Sequence, residues 1–243
     1  MALPDECFLG KRIYKKLFYE NSNFGSTDKK AFREDIDTII WQYSLQPSSI
    51  QIQSYDDSQR EYEEIAILQV NLKTMKRTSR IAKIIHRAIP YPLFIVFVFE
   101  DEFAVSLAHK RLSQSSREAV VIENQYMTNW IDLYNQTENQ RAFLNSMSIS
   151  QMPHTHFFAL YSTLIERIIA LDFAQYTNKY SLENDEFSQS KREKLLNDCS
   201  CLKEQIVAYK VDIKKETQFN RKVDLNIKLK EMQKKLRSIL VNY

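Results

Sequence analysis

Residues 66 to 73, AILQVNLK, alternate apolar and polar side chains and close on a lysine. In metal-dependent nucleases a strand of this kind carries an acidic residue and a lysine two apart, the acid holding Mg²⁺ and the lysine orienting the attacking water. Here Gln69 and Asn71 stand at those places, and with Lys73 they share one face of the strand because side chains alternate with a period of two. Mg²⁺ favours hard oxygen ligands, carboxylates above all, and neutral amides replace them poorly. The nearest carboxylates are Asp56, Asp57, Glu63 and Glu64. A catalytic reading therefore draws on Asp56, Asp57 and Glu64 with Lys73 as the cation. A plainer reading makes Gln69, Asn71 and Lys73 the polar face of a half-buried strand and the acids part of a turn. Any such strand shows polar alternation, so the plainer reading takes precedence and no catalytic residue is assigned.

Other reactive residues are weaker candidates. His154 and His156, and Cys199 and Cys201, are spaced one apart, whereas tetrahedral zinc sites use Cys or His pairs two to five apart. Neither a metal nor a cofactor is expected. Three cysteines form no disulfide framework and fit a reducing, cytoplasmic compartment. Two glycines in 243 residues leave no Gly-rich loop whose backbone amides can close on a phosphate. The longest apolar run, YPLFIVFVF at 91 to 99, is too short to span a bilayer, and the N-terminus lacks the apolar segment of a secretory leader.

The C-terminal quarter offers a surface in place of a reaction. Leu195, Cys199, Leu202, Ile206, Tyr209 and Ile213 recur at steps of three and four, and Leu225, Leu229, Met232, Leu236 and Ile239 form a second seam out of phase with the first. KKETQFNRK between them predicts the turn of a helical hairpin, with a continuous, stuttered helix as the alternative. Leu195, Leu202, Ile206, Ile213, Leu225, Leu229 and Leu236 are the candidate partner-binding residues. From Phe187 onward 14 Lys and Arg face 7 Asp and Glu, a net +7 that leaves −4 for the rest. Lys210, Lys214, Lys215, Arg221, Lys222, Lys234 and Lys235 are the candidates for phosphate contact, which steep salt dependence would reveal. Aromatic residues are sparse there, so base stacking is not indicated, and lysines are the ordinary flank of a heptad seam. Protein docking ranks ahead of nucleic-acid contact, and dimerisation through the arm is a further use of the same seams.

The elements that must position these residues read as a mixed α/β body. STDKKAFREDIDTIIWQYSL, 26 to 45, has a capping signal and apolar residues at 32, 36, 39, 40 and 43, predicting one helix that stops at Pro47. SIQIQS, 49 to 54, alternates like a strand, and YEEIAILQVNLK predicts a longer one. KRTSRIAKIIHRAI is helical, and LFIVFVF reads as a strand buried on both faces, so the two strands flanking that helix should run parallel. EFAVSLAHK and REAVVIE predict an antiparallel continuation, and 156 to 176 a buried helix. The expected organisation is an α/β (α+β) body over 1–150 with a mixed sheet and a restriction-nuclease-like order of elements, a linking helix over 151–182, and a helical coiled-coil arm over 183–243.

Five segments in order, KRIYKKLFYE, FREDIDTIIWQYSLQPSSIQI, EEIAILQVNLK, AIPYPLFIVFVFED and YMTNW, resemble the bacterial family catalogued as domain of unknown function 4391. The likeness covers most of residues 10 to 210. It departs at Tyr14, where the family pattern has proline, and at Gln69, where many relatives have glutamate. Members tend to be encoded beside helicases and DNA methyltransferases of restriction and anti-phage systems, so the resemblance implies a defence-associated role and names no catalytic residue. The combined expectation is a non-catalytic accessory subunit that binds a helicase, nuclease or methyltransferase. The alternatives are a Mg²⁺-dependent nuclease and a DNA-binding module using the basic arm.

Overall fold

The computed structural model describes residues 1, 3–20, 25–113, 120–182 and 186–241. The chain divides into two compact units, Met1–Ile168 and Ile169–Tyr243. Among the described residues no helix is long and apolar enough to cross a membrane.

The first unit is built on a seven-stranded mixed sheet. Its elements are β1 (Phe8–Ile13), α1 (Lys15–Glu20), α2 (Ser26–Glu34), β2 (Ile36–Leu45), α3 (Pro47–Ile50), a small hairpin of β3 (Tyr55–Asp56) and β4 (Glu61–Tyr62), β5 (Ile65–Leu72), α4 (Thr78–Ala88), β6 (Leu93–Phe99), β7 (Glu102–Leu112), β8 (Val120–Met127), β9 (Ile131–Asp132) and α5 (Glu138–Ser146). α6 (Phe157–Thr177) follows, and α7 (Glu186–Lys215) and α8 (Phe219–Val241) belong to the second unit. The sheet order is β1-β2-β5-β6-β7-β8, with β9 also on β7. β5 and β6 pair in parallel across the α4 crossover, and the other adjacent pairs are antiparallel. Such a crossover has room for a helix, which is what parallel neighbours require.

One predicted helix is corrected. It ends at Glu34, and residues 36 to 45 form the ten-residue strand β2. Ile36, Thr38, Ile39 and Ile40 are β-branched and Trp41 and Tyr43 aromatic, side chains that suit a pleated surface better than a helix. The break falls at Asp35, almost wholly buried, whose carboxylate accepts Arg77 Nε and Nη2 at 2.6 Å each. This fork ties the end of α2 to the start of α4. The strand predicted at 49 to 54 is likewise replaced: Pro47 opens the one-turn helix α3, Gln51 ends it in the left-handed region, and Gln53 keeps a single bridge to His156. α4 stops where Ile89, ahead of Pro90, turns extended.

The two sheet faces differ. On one, Leu68 and Val70 of β5 and Ile95 and Phe97 of β6 are fully buried in a core with Phe32 of α2 and Ile81 and Ile85 of α4. On the other, Ile67, Gln69 and Asn71 of β5 point away from that core. The exposed edge strand β1 is interrupted by a bulge between Phe8 and Lys11, with Gly10 at φ +58°. A Cβ there would come within 2.8 Å of the Phe8 ring, so the bulge needs glycine.

In the second unit α7 and α8 pack on one another. Between them the Glu216 carboxylate accepts the backbone N–H of Thr217 at 2.9 Å and of Gln218 at 2.8 Å, so a local turn replaces glycine or proline in reversing the chain.

Candidate functional site

The face of β5 that holds Gln69 and Asn71 carries a chain of neutral hydrogen bonds. Thr38 and Ile40 of β2 lie opposite Asn71 and Gln69 of β5, and a bulge between Trp41 and Tyr43 keeps Gln42 on the same side. Gln42 Nε2 donates to Gln69 Oε1 at 2.8 Å, Gln69 Nε2 to Asn71 Oδ1 at 2.8 Å, and Asn71 Nδ2 to Thr38 Oγ1 at 2.7 Å. All four are half-buried, so paired amides avoid the desolvation cost that a carboxylate without a cation would meet there. A metal needs carboxylates at this place, and the ladder offers amide and hydroxyl oxygens already engaged with one another.

The sequence-predicted quartet is not brought together. Glu64 precedes β5 and Lys73 follows it, so about 30 Å of strand separates them. The Glu64 carboxylate accepts Ser44 Oγ at 2.7 Å and Gln46 Nε2 at 2.9 Å. Asp57 holds the β3–β4 turn, accepting the N–H groups of Gln59 and Arg60 at 2.7 Å and the Tyr55 hydroxyl at 2.8 Å. The Gln59 amide, first among these, draws its carboxyl below the ordinary value. Asp56 is opposite Glu61 in the same small hairpin. At the other end of β5, the Lys73 N–H donates to the Asp35 carbonyl at 2.7 Å, and Lys15 Nζ donates to the Ile36 carbonyl at 2.7 Å. Partial burial, then the Lys73 charge, lowers the Lys15 pKa.

Two basic side chains with no distinguishing signal in the sequence, Lys110 and His86, are buried next to the end of α4. Lys110 of β7 is almost fully buried, and its Nζ donates to the carbonyls of Ile89 and Tyr91, just past the end of α4. A cation suits a helix C-terminus, but burial pushes its pKa well down. Beside it, the buried His86 ring places Nε2 at 3.2 Å from Ser106 Oγ, and Nδ1 has no hydrogen-bond partner among the described residues. Burial, then the Lys110 charge, pushes the His86 pKa well below its ordinary value. A Ser–His pair enclosed in this way has neither an orienting carboxylate nor access for substrate, so it lacks the parts of a nucleophilic site. The remaining histidines near the start of α6 are structural: His154 Nε2 meets the Ile149 carbonyl at 3.1 Å, and His156 Nδ1 accepts the Ala159 N–H at 3.1 Å. Among the described residues no group of three or more His, Cys, Asp or Glu is placed to hold a metal ion.

In the helical unit, Ile206 is buried, and Leu195, Leu202, Ile213, Leu225, Leu229 and Leu236 are half-buried. Lys210, Lys214, Lys215, Arg221, Lys222, Lys234 and Lys235 are all exposed. Among the described residues of α7 and α8 the large apolar side chains left to solvent are a different set: Val207 and Val211 on α7, and Phe219, Val223 and Ile227 on α8, the last three at steps of four. Phe219 is 77% exposed. Steps of four keep residues on one helix face, so this second stripe was visible in the sequence once the seams were set aside.

A family model described as Domain of unknown function (DUF4391) matches residues 1–236. The chain belongs to that family. No curated protein and no solved structure matches.

Proposed function

We propose that this family member is a non-catalytic assembly subunit of a bacterial anti-phage defence or restriction–modification complex, docking a helicase, nuclease or methyltransferase through its helical hairpin. The observation that carries the reading is the exposed apolar residues at steps of four, Val207 and Val211 on α7 and Phe219, Val223 and Ile227 on α8, outside the half-buried seams. Stripes of this spacing seat against a partner's helix or groove. The neutral ladder Gln42–Gln69–Asn71–Thr38 supports the non-catalytic half. The defence setting rests on the family likeness. The sheet, with one parallel pair joined by a helix, is compatible with a restriction-nuclease-like fold that no longer holds a metal, and the hairpin with a coiled-coil arm.

The test is light scattering coupled to size exclusion, on the chain alone and co-expressed with its genomic neighbours, with and without nuclease treatment. Co-elution with one neighbour that survives nuclease and disappears on deleting 187–243, or on the double change Phe219→Ser and Val223→Ser, supports the reading. Intact assembly after that deletion removes the hairpin from the mechanism. The nuclease alternative predicts Mg²⁺-dependent cleavage abolished by Lys73→Ala. The DNA-binding alternative rests on the exposed lysines of α7 and α8 and predicts affinity that falls with salt and with their removal.

A further inference from the structure

Two cavities border the sheet of the first unit. One, of about 380 Å³, is floored by Ile67 of β5, Phe94 and Val96 of β6 and Val105 of β7 and walled by Phe143 and Met147 of α5. The other, of about 240 Å³, lies where β4, β7 and the segment past α4 meet. Its rim is the exposed residues Glu61, Glu63, Pro90 and Tyr91, with half-buried Arg111 at its side. Lys110, only 3% exposed, is the buried residue among those that line it and so forms its base.

The hydrogen bonds of Lys110 decide what that base can do. Its Nζ donates to the Ile89 and Tyr91 carbonyls, on either side of Pro90 in the pocket rim. Among the described residues these are its two acceptors, so an ammonium would keep a third N–H buried and unmatched. A neutral amine has two N–H groups, which the two carbonyls satisfy, and its lone pair is the position left open. Burial favours the same neutral form. A desolvated lysine of this kind is a nucleophile toward carbonyl carbon. The rim supplies the acid and base that such an addition needs. Burial, then the Glu63 and Asp56 charges, raises the Glu61 pKa, and a hydrogen bond joins the Glu61 and Glu63 carboxyls.

We propose that Lys110 captures a small aldehyde or ketone in this pocket as an imine, with the Glu61–Glu63 pair moving the protons. The Nζ lone pair forms the C–N bond while the carbonyl π pair moves to oxygen, which takes a proton from the carboxyl pair. The nitrogen returns a proton to the pair, the hydroxyl leaves with a proton as water, and the C=N bond forms. Nothing is oxidised or reduced, and hydrolysis reverses the capture. A volume below that of drug-sized sites limits the ligand to a small one.

The proposal is independent of the hairpin and is tested on the full chain at pH 7 with butanal and sodium cyanoborohydride, which reduces the imine to a stable secondary amine. Peptide mapping by mass spectrometry reads each lysine separately. Lys110 should be labelled at least about tenfold faster than exposed Lys210 and Lys234, which stay protonated at that pH. Its rate should saturate with butanal, as a binding site requires, while theirs rises in proportion. Glu61→Gln, a change on the exposed rim, should slow Lys110 severalfold and leave the exposed lysines as they were. Labelling of Lys110 no faster than theirs, or without saturation, overturns the proposal. An unchanged Lys110 rate in Glu61→Gln overturns the part given to the carboxyl pair.

Discussion

The two faces of β5 come from one eight-residue strand, yet one is a sealed core and the other, buried at Ile65 and Ile67 and half-buried at Gln69 and Asn71, carries a neutral ladder and borders a cavity. Leu68 and Val70 meet helices α2 and α4, whereas Ile67 and Gln69 meet a hollow under α5 and a row of amides. Burial by two helices makes the first face a matter of stability. The second spends less of its surface on packing and so contributes less to it.

Truncation on the two faces should separate these roles most sharply. Leu68→Ala, in the fully buried core, should cost about 3 to 5 kcal/mol because the site is walled by both helices and cannot collapse. Val96→Ala, on the cavity floor, should cost about 1 kcal/mol, since part of its contact is already missing. Urea unfolding of the pair measures the difference. Equal losses would mean that the cavity side is packed as tightly as the core side.

The fork between Asp35 and Arg77 belongs to the sealed side and should come next. Arg77→Met leaves the buried Asp35 carboxylate without its guanidinium fork, and about 2 to 3 kcal/mol is expected after discounting for the partly exposed guanidinium. Asp35→Asn together with Arg77→Met should recover part of that loss. A double variant no better than the single would show that the geometry of the turn, and not the unpaired charge, sets the loss.

Acid should act on the sealed side as well. His86 is neutral when folded and its pKa is pushed down by burial, so below its ordinary value of 6.5 the unfolded chain takes up a proton that the folded chain refuses. Stability is whole above that pH and falls as the pH drops through it, by on the order of 1 kcal/mol between pH 7 and 5. Lys110 follows the same sign higher up: its lowered pKa makes stability rise with pH below its ordinary 10.5. In His86→Leu the slope between pH 7 and 5 should flatten, as read by thermal unfolding across a pH series. A slope as steep as in the unchanged chain would place its source elsewhere.

How much of this was legible in the sequence depends on where each pattern is unambiguous. LFIVFVF reads as β6 residue for residue, and its parallel pairing with β5 follows from the intervening helix. At 32, 36, 39, 40 and 43 the apolar spacing satisfies a helix, and only the β-branched run and the capture of Asp35 by Arg77 decide for a strand. That one segment conceals half the ladder, because Thr38 and Gln42 have no reason to face Gln69 and Asn71 until β2 is a strand in register with β5. The alternation of Gln69 and Asn71 was plain, but their partners lie about 30 residues away and depend on a bulge that no local signal announces. The same holds for Lys110, whose acceptors are carbonyls past the end of another element.

The smallest and most discriminating change puts an acid on the ladder face. Gln69→Glu places a carboxylate among Gln42, Asn71 and Thr38, with no cation beside it in the ladder. Desolvation then holds its folded pKa above the ordinary 4.3 or so. The penalty is absent where both states are protonated and grows as the pH rises through that value, reaching about 1 kcal/mol near neutrality. Stability of the variant relative to the unchanged chain, measured at pH 4 and pH 7, isolates that penalty from the titration of His86. Mg²⁺ in millimolar amounts should leave it unchanged, since a single carboxylate among engaged amides is a poor octahedral site. Recovery of the lost stability by Mg²⁺, and not by equal ionic strength of a monovalent salt, would instead mark the ladder as a metal site lacking one residue, and would move the weight from an assembly subunit toward a nuclease architecture that a single substitution has silenced.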